Sequence, residues 1–178
     1  MRPREAMDDA LKDAITQSLR PKGFTGSLLH LRRRSDAQVC LLSFQFFSAG
    51  GSFAVEVAEC GPDGFTTSWG EHKPPHKVTA QDIPAPRPRL GSADFPQGDH
   101  WFVFGPRNYE PDAEKLQPRA EYQALAVDVL RCIESQAEPF WEQQLSARTQ
   151  SADSAAYSYA RKSTVRESGS DRRKLLQI

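Results

Sequence analysis

The chain has 178 residues and carries 23 basic and 23 acidic side chains, so its formal net charge is zero. A neutral chain has no global field to recruit nucleic acid or an anionic membrane, and this length suits one domain with a single core. The charge is unevenly placed, because residues 148–178 carry about +4 and the preceding residues about −4. We therefore expect one domain over residues 1–146, followed by a basic, serine-rich flexible tail over residues 147–178.

The cysteine content and the hydropathy pattern indicate the compartment. Cys40, Cys60 and Cys132 are too few and too widely spaced for a disulfide scaffold. No segment approaches the roughly 20 apolar residues that a membrane span requires, and the N-terminus lacks the apolar run of a signal peptide. The sequence predicts a cytoplasmic protein with reduced thiols and no membrane contact.

The N-terminal segment has the apolar spacing of a helix. Met7, Leu11, Ile15 and Leu19 lie four residues apart and therefore share one helical face. A proline and a glycine follow directly and end the pattern. We predict a helix over about residues 5–20.

The pattern changes to strand-like alternation between Phe24 and Cys60. Turn residues divide this region into three predicted strands, at about residues 25–33, 38–48 and 52–59. Their short connections predict an antiparallel meander. The second strand is apolar on both faces, so we place it at the centre of the sheet.

The rest of the chain adds a loop, a strand and a helix. Residues 61–99 are rich in proline, glycine and charge and predict a long loop, which is usually functional or mobile. Residues 100–105 have the composition of a fourth strand, and residues 119–137 have the apolar stripe of a long helix that Pro139 should kink or restart. The predicted fold is α+β, an antiparallel sheet of about four or more strands packed by an N-terminal helix and a long C-terminal helix.

Three consecutive arginines, Arg32, Arg33 and Arg34, end the first predicted strand. Strand alternation places Arg33 on one face and its two neighbours on the other, so the three guanidinium groups do not form a single phosphate-binding patch. We interpret the triplet as the solvated end of a hairpin near Asp36. We accordingly do not predict nucleic acid as the main partner.

Sequence motifs of catalysis and metal binding are scarce. No nucleophile elbow, phosphate-binding loop, dinucleotide-binding turn or zincin pair occurs. Glu56 and Glu59 are an odd number of residues apart, which places them on opposite strand faces, and we predict that Glu56 faces solvent. We predict no cofactor and no catalytic residue, with a loop-borne zinc site at His72 and His76 as the alternative.

The three tryptophans predict two kinds of environment. Trp101 and Trp141 adjoin predicted secondary structure, so we place both in the core or at its rim. Trp69 lies in the long loop near Phe65, where an aromatic side chain can anchor a partner protein.

Several short motifs occur in a familiar order. They are LRPKGFTG at residues 19–26, LSFQFFS at 42–48, HW at 100–101 and EPFW at 138–141. In this order they resemble a mainly bacterial family known as domain of unknown function 4304. The resemblance implies an α+β domain with a curved antiparallel sheet and flanking helices, and it implies no accepted activity. Gln45 lies mid-strand among apolar neighbours, where a buried amide needs hydrogen-bond partners.

Two main hypotheses about function follow from these patterns. The first is a non-enzymatic protein–protein interaction module, such as a bacterial immunity or antitoxin partner. Its candidate contacts are Phe65, Trp69, Arg32 and Arg34. The second is an enzyme or small-ligand binder with a pocket between sheet and helices. Its candidate contacts are Gln45, Glu56, His30 and His100. A weaker third hypothesis has the basic tail contact nucleic acid.

Overall fold

The computed structural model describes residues 1–84 and 86–151. Its helices are α1, Pro3–Ala14, and α2, Arg119–Cys132, and each continues into a π-helical turn, at Ile15–Leu19 and Ile133–Ala137. Its strands are β1, Phe24–Ser27; β2, His30–Arg34; β3, Val39–Phe46; β4, Ser52–Cys60; β5, Phe65–Thr66; β6, His72–Lys73; and β7, Phe102–Val103. A short 3₁₀ turn occupies Ala80–Asp82.

Five strands form one antiparallel sheet in the order β1-β2-β3-β4-β7, and β5 pairs with β6 in a separate hairpin. The sheet, α1 and the long C-terminal helix confirm the predicted α+β fold. Strand β3 is the middle strand, as its apolar character on both faces predicted.

The first predicted strand is wrong in one respect, because it is a hairpin and not a single strand. Strands β1 and β2 pair with Ser27 opposite His30, and only Leu28 and Leu29 connect them. Gly26, with φ of +104°, lets the two backbones approach closely. The turn residues Leu28 and Leu29 are apolar and lack the glycine, asparagine or aspartate that usually marks a two-residue turn, so the sequence does not signal the reversal.

One face of the sheet packs against the helices and forms the main core. The helical stripe of α1 and its π-helical turn is buried there, as predicted, together with alternate residues of β3 and β4. The largest buried side chains in this core are Trp141, Phe24, Phe53, Met7, Leu11, Leu19, Leu31, Leu42, Leu90 and Ile133.

Residues 61–99, which we call the loop layer, cover the opposite face of the sheet with their first part and reach the helical side near their end, where Leu90 lies in the main core and Phe95 packs against Phe140. Val78 and Ala80 from this segment pack on Val39, Leu41 and Ala58 in a second apolar cluster. The loop layer also bonds to β4, because the Val57 amide donates to the Pro88 carbonyl and the Leu90 amide to the Val55 carbonyl, both at 2.9 Å. The prolines exclude a helix or a central strand here, but the segment has a defined place against the sheet.

The C-terminal part begins with α2. The π-helical turn Ile133–Ala137 precedes Pro139, and residues 138–151 are helical as well, so the helix continues past the proline. The wider π turn contains the irregularity that the proline requires. Met1–Trp141 form one compact unit and a second begins at Glu142. Of the predicted tail, residues 152–178 lie outside the described residues, and within the described part no helix has the length and apolarity to cross a membrane.

Candidate functional site

The arginine triplet divides between the two faces of the sheet, as predicted. Arg33 points toward the helices, where its guanidinium donates to both carboxylate oxygens of Glu138 at 2.8 and 2.7 Å. Arg32 points to the loop layer, where it donates to the carbonyls of His76 and Val78. Arg34 is exposed. The interpretation as a solvated hairpin end is therefore wrong for Arg32 and Arg33, because both side chains are long enough to reach neighbouring layers.

A row of three polar residues crosses the sheet on the loop-layer face. The strand register places His30 opposite Ser43 and Ser43 opposite Glu56, and the His30 Nδ1 lies 2.9 Å from the Ser43 Oγ. Burial and the nearby Arg32 charge lower the pKa of His30, which favours the neutral ring. Ser43 is completely buried and lies between the other two, so the row does not have the accessible nucleophile or the acid–base order of a hydrolase triad.

Glu56 is 6 % exposed, so the prediction that it faces solvent is wrong. Its carboxylate accepts from Arg87 at 3.2 Å and lies 3.7 Å from the guanidinium of Arg89. Arg89 also donates to Gln45 at 3.1 Å and to Asp99 at 2.9 Å. Both arginines belong to the loop layer. We call Glu56, Arg87 and Arg89 the loop latch, because these residues tie that layer to β4.

The remaining candidate ligand contacts lie at the periphery of the sheet. Gln45 is exposed and not buried as expected, and its amide oxygen accepts from Arg89 of the loop layer. His100 packs edge-on against Phe102, with 4.6 Å between the ring centroids. His30, Gln45 and Glu56 share the face opposite the helices, so the structure does not bring them to the sheet–helix interface.

The two histidines of the zinc alternative have separate roles in the loop layer. His72 Nδ1 lies 3.0 Å from the Thr66 hydroxyl across the β5–β6 hairpin, and the His76 backbone accepts from Arg32. Among residues 1–84 and 86–151, no group of three or more histidine, cysteine or acidic side chains is arranged to hold a metal ion.

The cysteines are free thiols, and Cys40 and Cys60 are buried. Burial, with a smaller contribution from Cys40, raises the pKa of Cys60 to about 11. Its thiolate therefore does not form near neutral pH, and Cys60 acts as a small apolar residue of the second cluster.

Trp69 is at the tip of the β5–β6 hairpin, and 77 % of its surface is exposed. Residues 67–71, which we call the Trp69 turn, are held by a compact set of hydrogen bonds. The Thr67 amide donates to the Glu71 carbonyl at 2.9 Å, and the Glu71 amide donates to the Thr67 hydroxyl at 3.0 Å. Gly70 closes the turn with φ of +90°. Thr67 itself is buried, so the turn presents its indole from a fixed base.

A second exposed aromatic surface was not predicted from the sequence. It is a cleft of about 400 Å³ beside β7, and we call it the edge cleft. Its lining includes Phe47, Trp101, Val103 and Arg107, and Tyr109 adjoins it through a 2.7 Å hydrogen bond from Arg107. The sequence signal was Phe47, which alternation places on the same side as Gln45, at the end of β3. The Trp101 ring meets Phe47 edge-on at 5.5 Å and Arg89 stacks on it at 4.8 Å, which agrees with a position at the rim of the core.

One comparison with known proteins gives a match. The model of a family described as a domain of unknown function, DUF4304, matches residues 15–143. This range includes the five-stranded sheet, the loop layer and α2. No curated protein and no solved structure matches the chain.

Proposed function

This chain belongs to the DUF4304 family, whose function is unknown, and we propose that it is a non-enzymatic protein-binding module. The observation that carries the proposal is the 77 % exposure of Trp69 at the tip of a hydrogen-bonded turn. Tryptophan is enriched among the residues that dominate binding energy at protein interfaces. An indole held out in water gains the most free energy when a partner buries it.

The rigidity of the Trp69 turn strengthens this proposal. Binding costs free energy whenever a loop or side chain must be ordered, so a preformed turn reduces that cost. The two hydrogen bonds between Thr67 and Glu71 hold the backbone on both sides of the indole. A 3.0 Å ion pair between Glu71 and Lys73 supplies a polar rim beside the apolar anchor, an arrangement typical of interfaces.

The other candidate contacts support the two hypotheses unequally. Arg34 is exposed and available to a partner, whereas Arg32 is bound to the loop layer and Phe65 packs against the second apolar cluster. The polar residues of the ligand-binding hypothesis mostly serve the fold, because Glu56 belongs to the loop latch and Gln45 accepts from Arg89. The structure therefore favours the protein-binding hypothesis.

The proposal places the module in the cytoplasm. Cys40, Cys60 and Cys132 are all free thiols, which is the usual state of cysteine in a reducing compartment.

The test is site-specific photo-crosslinking of the full chain in its own cells. A photoreactive phenylalanine analogue at position 69 is expected to trap one protein, and the same analogue at Val127, an exposed apolar residue of α2, is expected to trap none. Trp69→Ala should then weaken binding of the purified partner about 30-fold or more, as for other interface anchors, while Val127→Ala leaves it unchanged. Equal crosslinking at both positions, or full affinity in Trp69→Ala, would overturn the proposal.

A further inference from the structure

The two edges of the five-stranded sheet differ in whether side chains cover their outward backbone groups. At the β1 edge, the carbonyls of Phe24 and Gly26 point away from β2, and both accept hydrogen bonds from the guanidinium of Arg20. A long cationic side chain laid along an edge prevents another strand from pairing there. The β1 edge is therefore closed.

The β7 edge has no comparable cover within the described part of the chain. The register pairs Ser52 with Val103, and the Phe104 amide donates to the Gly51 carbonyl at 2.9 Å. In an antiparallel pair with this pattern, Phe102 and Phe104 bond to β4, while the Val103 N–H and C=O point outward. Those two groups form no hydrogen bond with any other residue of 1–84 or 86–151. Val103 thus presents an unpaired donor and acceptor at the edge of the sheet.

The side chains beside this edge form an apolar receptor. Val103 is 67 % exposed, and the edge cleft of about 400 Å³ lies between it, Phe47 and Trp101. All three side chains are on the face opposite the helices. A strand paired with β7 would place every second side chain on this face, so one of its apolar residues would reach the cleft.

The charge beside the cleft indicates what else the strand carries. The Arg107 guanidinium lies 5.6 Å from the centroid of the Phe47 ring and donates to the Tyr109 hydroxyl. Glu110 also lines the cleft and its carboxylate accepts from the Arg107 amide at 2.8 Å, but within the described residues no carboxylate lies within ion-pair distance of the Arg107 guanidinium, whereas Arg89 nearby is paired with Asp99. A carboxylate on the incoming strand complements this exposed cation.

We infer that β7 and the edge cleft bind an extended segment of another protein, which adds a sixth strand to the sheet. The segment contributes backbone hydrogen bonds to Val103, an apolar side chain to the cleft and an acidic side chain to Arg107. This is strand addition, in which the backbone supplies affinity and the alternate side chains supply specificity. The site is separate from the Trp69 turn, since the cleft includes the first residue of β4 and the hairpin follows the last.

The test uses the full chain and a random dodecapeptide library displayed on phage. Enriched peptides are expected to alternate apolar and polar residues and to contain Asp or Glu. An enriched peptide is then synthesised and its affinity is measured. Val103→Pro removes the outward N–H and leaves the bonds of β7 to β4 intact, so it should weaken binding of this peptide about tenfold or more, and Val103→Thr should not. Arg107→Glu should weaken it by a similar factor without touching the backbone.

A second measurement guards against misfolding of the proline variant. Two N-methylated versions of the peptide are compared on the unchanged protein. Methylation of the backbone nitrogens that face β7 should abolish binding, and methylation of the alternate nitrogens, which face away from β7, should not. The inference is overturned if no peptide is enriched, or if enriched peptides bind Val103→Pro and the wild-type chain equally. It is also overturned if sedimentation shows a dimer that Val103→Pro dissociates, because a second copy of the chain then occupies the edge.

Discussion

Replacing Trp141 by alanine should lower the free energy of unfolding by about 3–5 kcal/mol, the range for a fully buried aromatic residue. Trp141 is 1 % exposed, and its ring lies 5.9 Å from that of Phe24 between centroids. The guanidinium of Arg33 lies 5.3 Å from the same ring. The indole N–H of Trp141 donates to the Ala58 carbonyl at 2.8 Å, so the substitution removes packing and also leaves a buried acceptor unpaired. Urea unfolding of the full chain measures the loss.

Two further variants separate these contributions. Trp141→Phe keeps an aromatic ring but not the donor, so it should cost less than Trp141→Ala. Trp69→Ala removes the same side chain from an exposed position and should change stability by no more than about 0.5 kcal/mol. Similar losses for Trp141→Ala and Trp69→Ala would mean that the two tryptophans are not buried and exposed as described.

Glu56→Ala should destabilise the protein by about 2–4 kcal/mol, because it leaves two partly buried arginines of the loop latch without their shared carboxylate. We expect less than the full cost of a buried charge, since the Arg87 and Arg89 side chains retain 28 % and 24 % of their exposure. The loop layer should also become easier to cleave by proteases, because these arginines connect it to β4. Thermal unfolding combined with limited proteolysis within residues 61–99 measures both effects.

Two control variants test whether the charge of Glu56 and its buried position cause this loss of stability. Glu56→Gln keeps the shape and a hydrogen-bond acceptor, so it should cost less than Glu56→Ala and release the loop layer less. Glu134→Ala removes a carboxylate from an exposed ion pair with Lys22 and should have little effect. Unchanged proteolysis of the loop layer in Glu56→Ala would show that the latch does not hold that layer.

Regular elements were predictable where one periodic signal dominated. The four-residue spacing from Met7 to Leu19 identified α1 and its π-helical turn, and apolar residues on both faces of β3 identified the middle strand. The β1–β2 hairpin was missed because its turn residues, Leu28 and Leu29, are apolar and lack the glycine, asparagine or aspartate that usually marks a two-residue turn.

Errors about individual side chains have a different origin. Alternation placed Glu56 on the correct face of β4, but the prediction of solvent exposure assumed that the loop layer leaves this face open. The loop layer covers this face and buries Glu56. It also supplies the two arginine partners of Glu56, which lie more than 30 residues away in sequence. The position of Trp69 in a polar loop indicated an exposed anchor, whereas the edge cleft depends on residues from two segments that are about 50 residues apart in sequence, 47–52 and 101–110.

The loop layer as a fixed part of the domain underlies both the latch and the presentation of Trp69. Amide hydrogen exchange of the unmodified chain, resolved by residue, tests this layer. The Thr67, Glu71 and Leu90 amides donate hydrogen bonds and should exchange on the order of a thousandfold more slowly than in an unstructured peptide. The exposed Ala93 amide, which donates no hydrogen bond within the described residues, should exchange fast. If the Thr67, Glu71 and Leu90 amides exchange as fast as the Ala93 amide, the loop layer moves independently of the sheet, which would contradict the rigid presentation of Trp69.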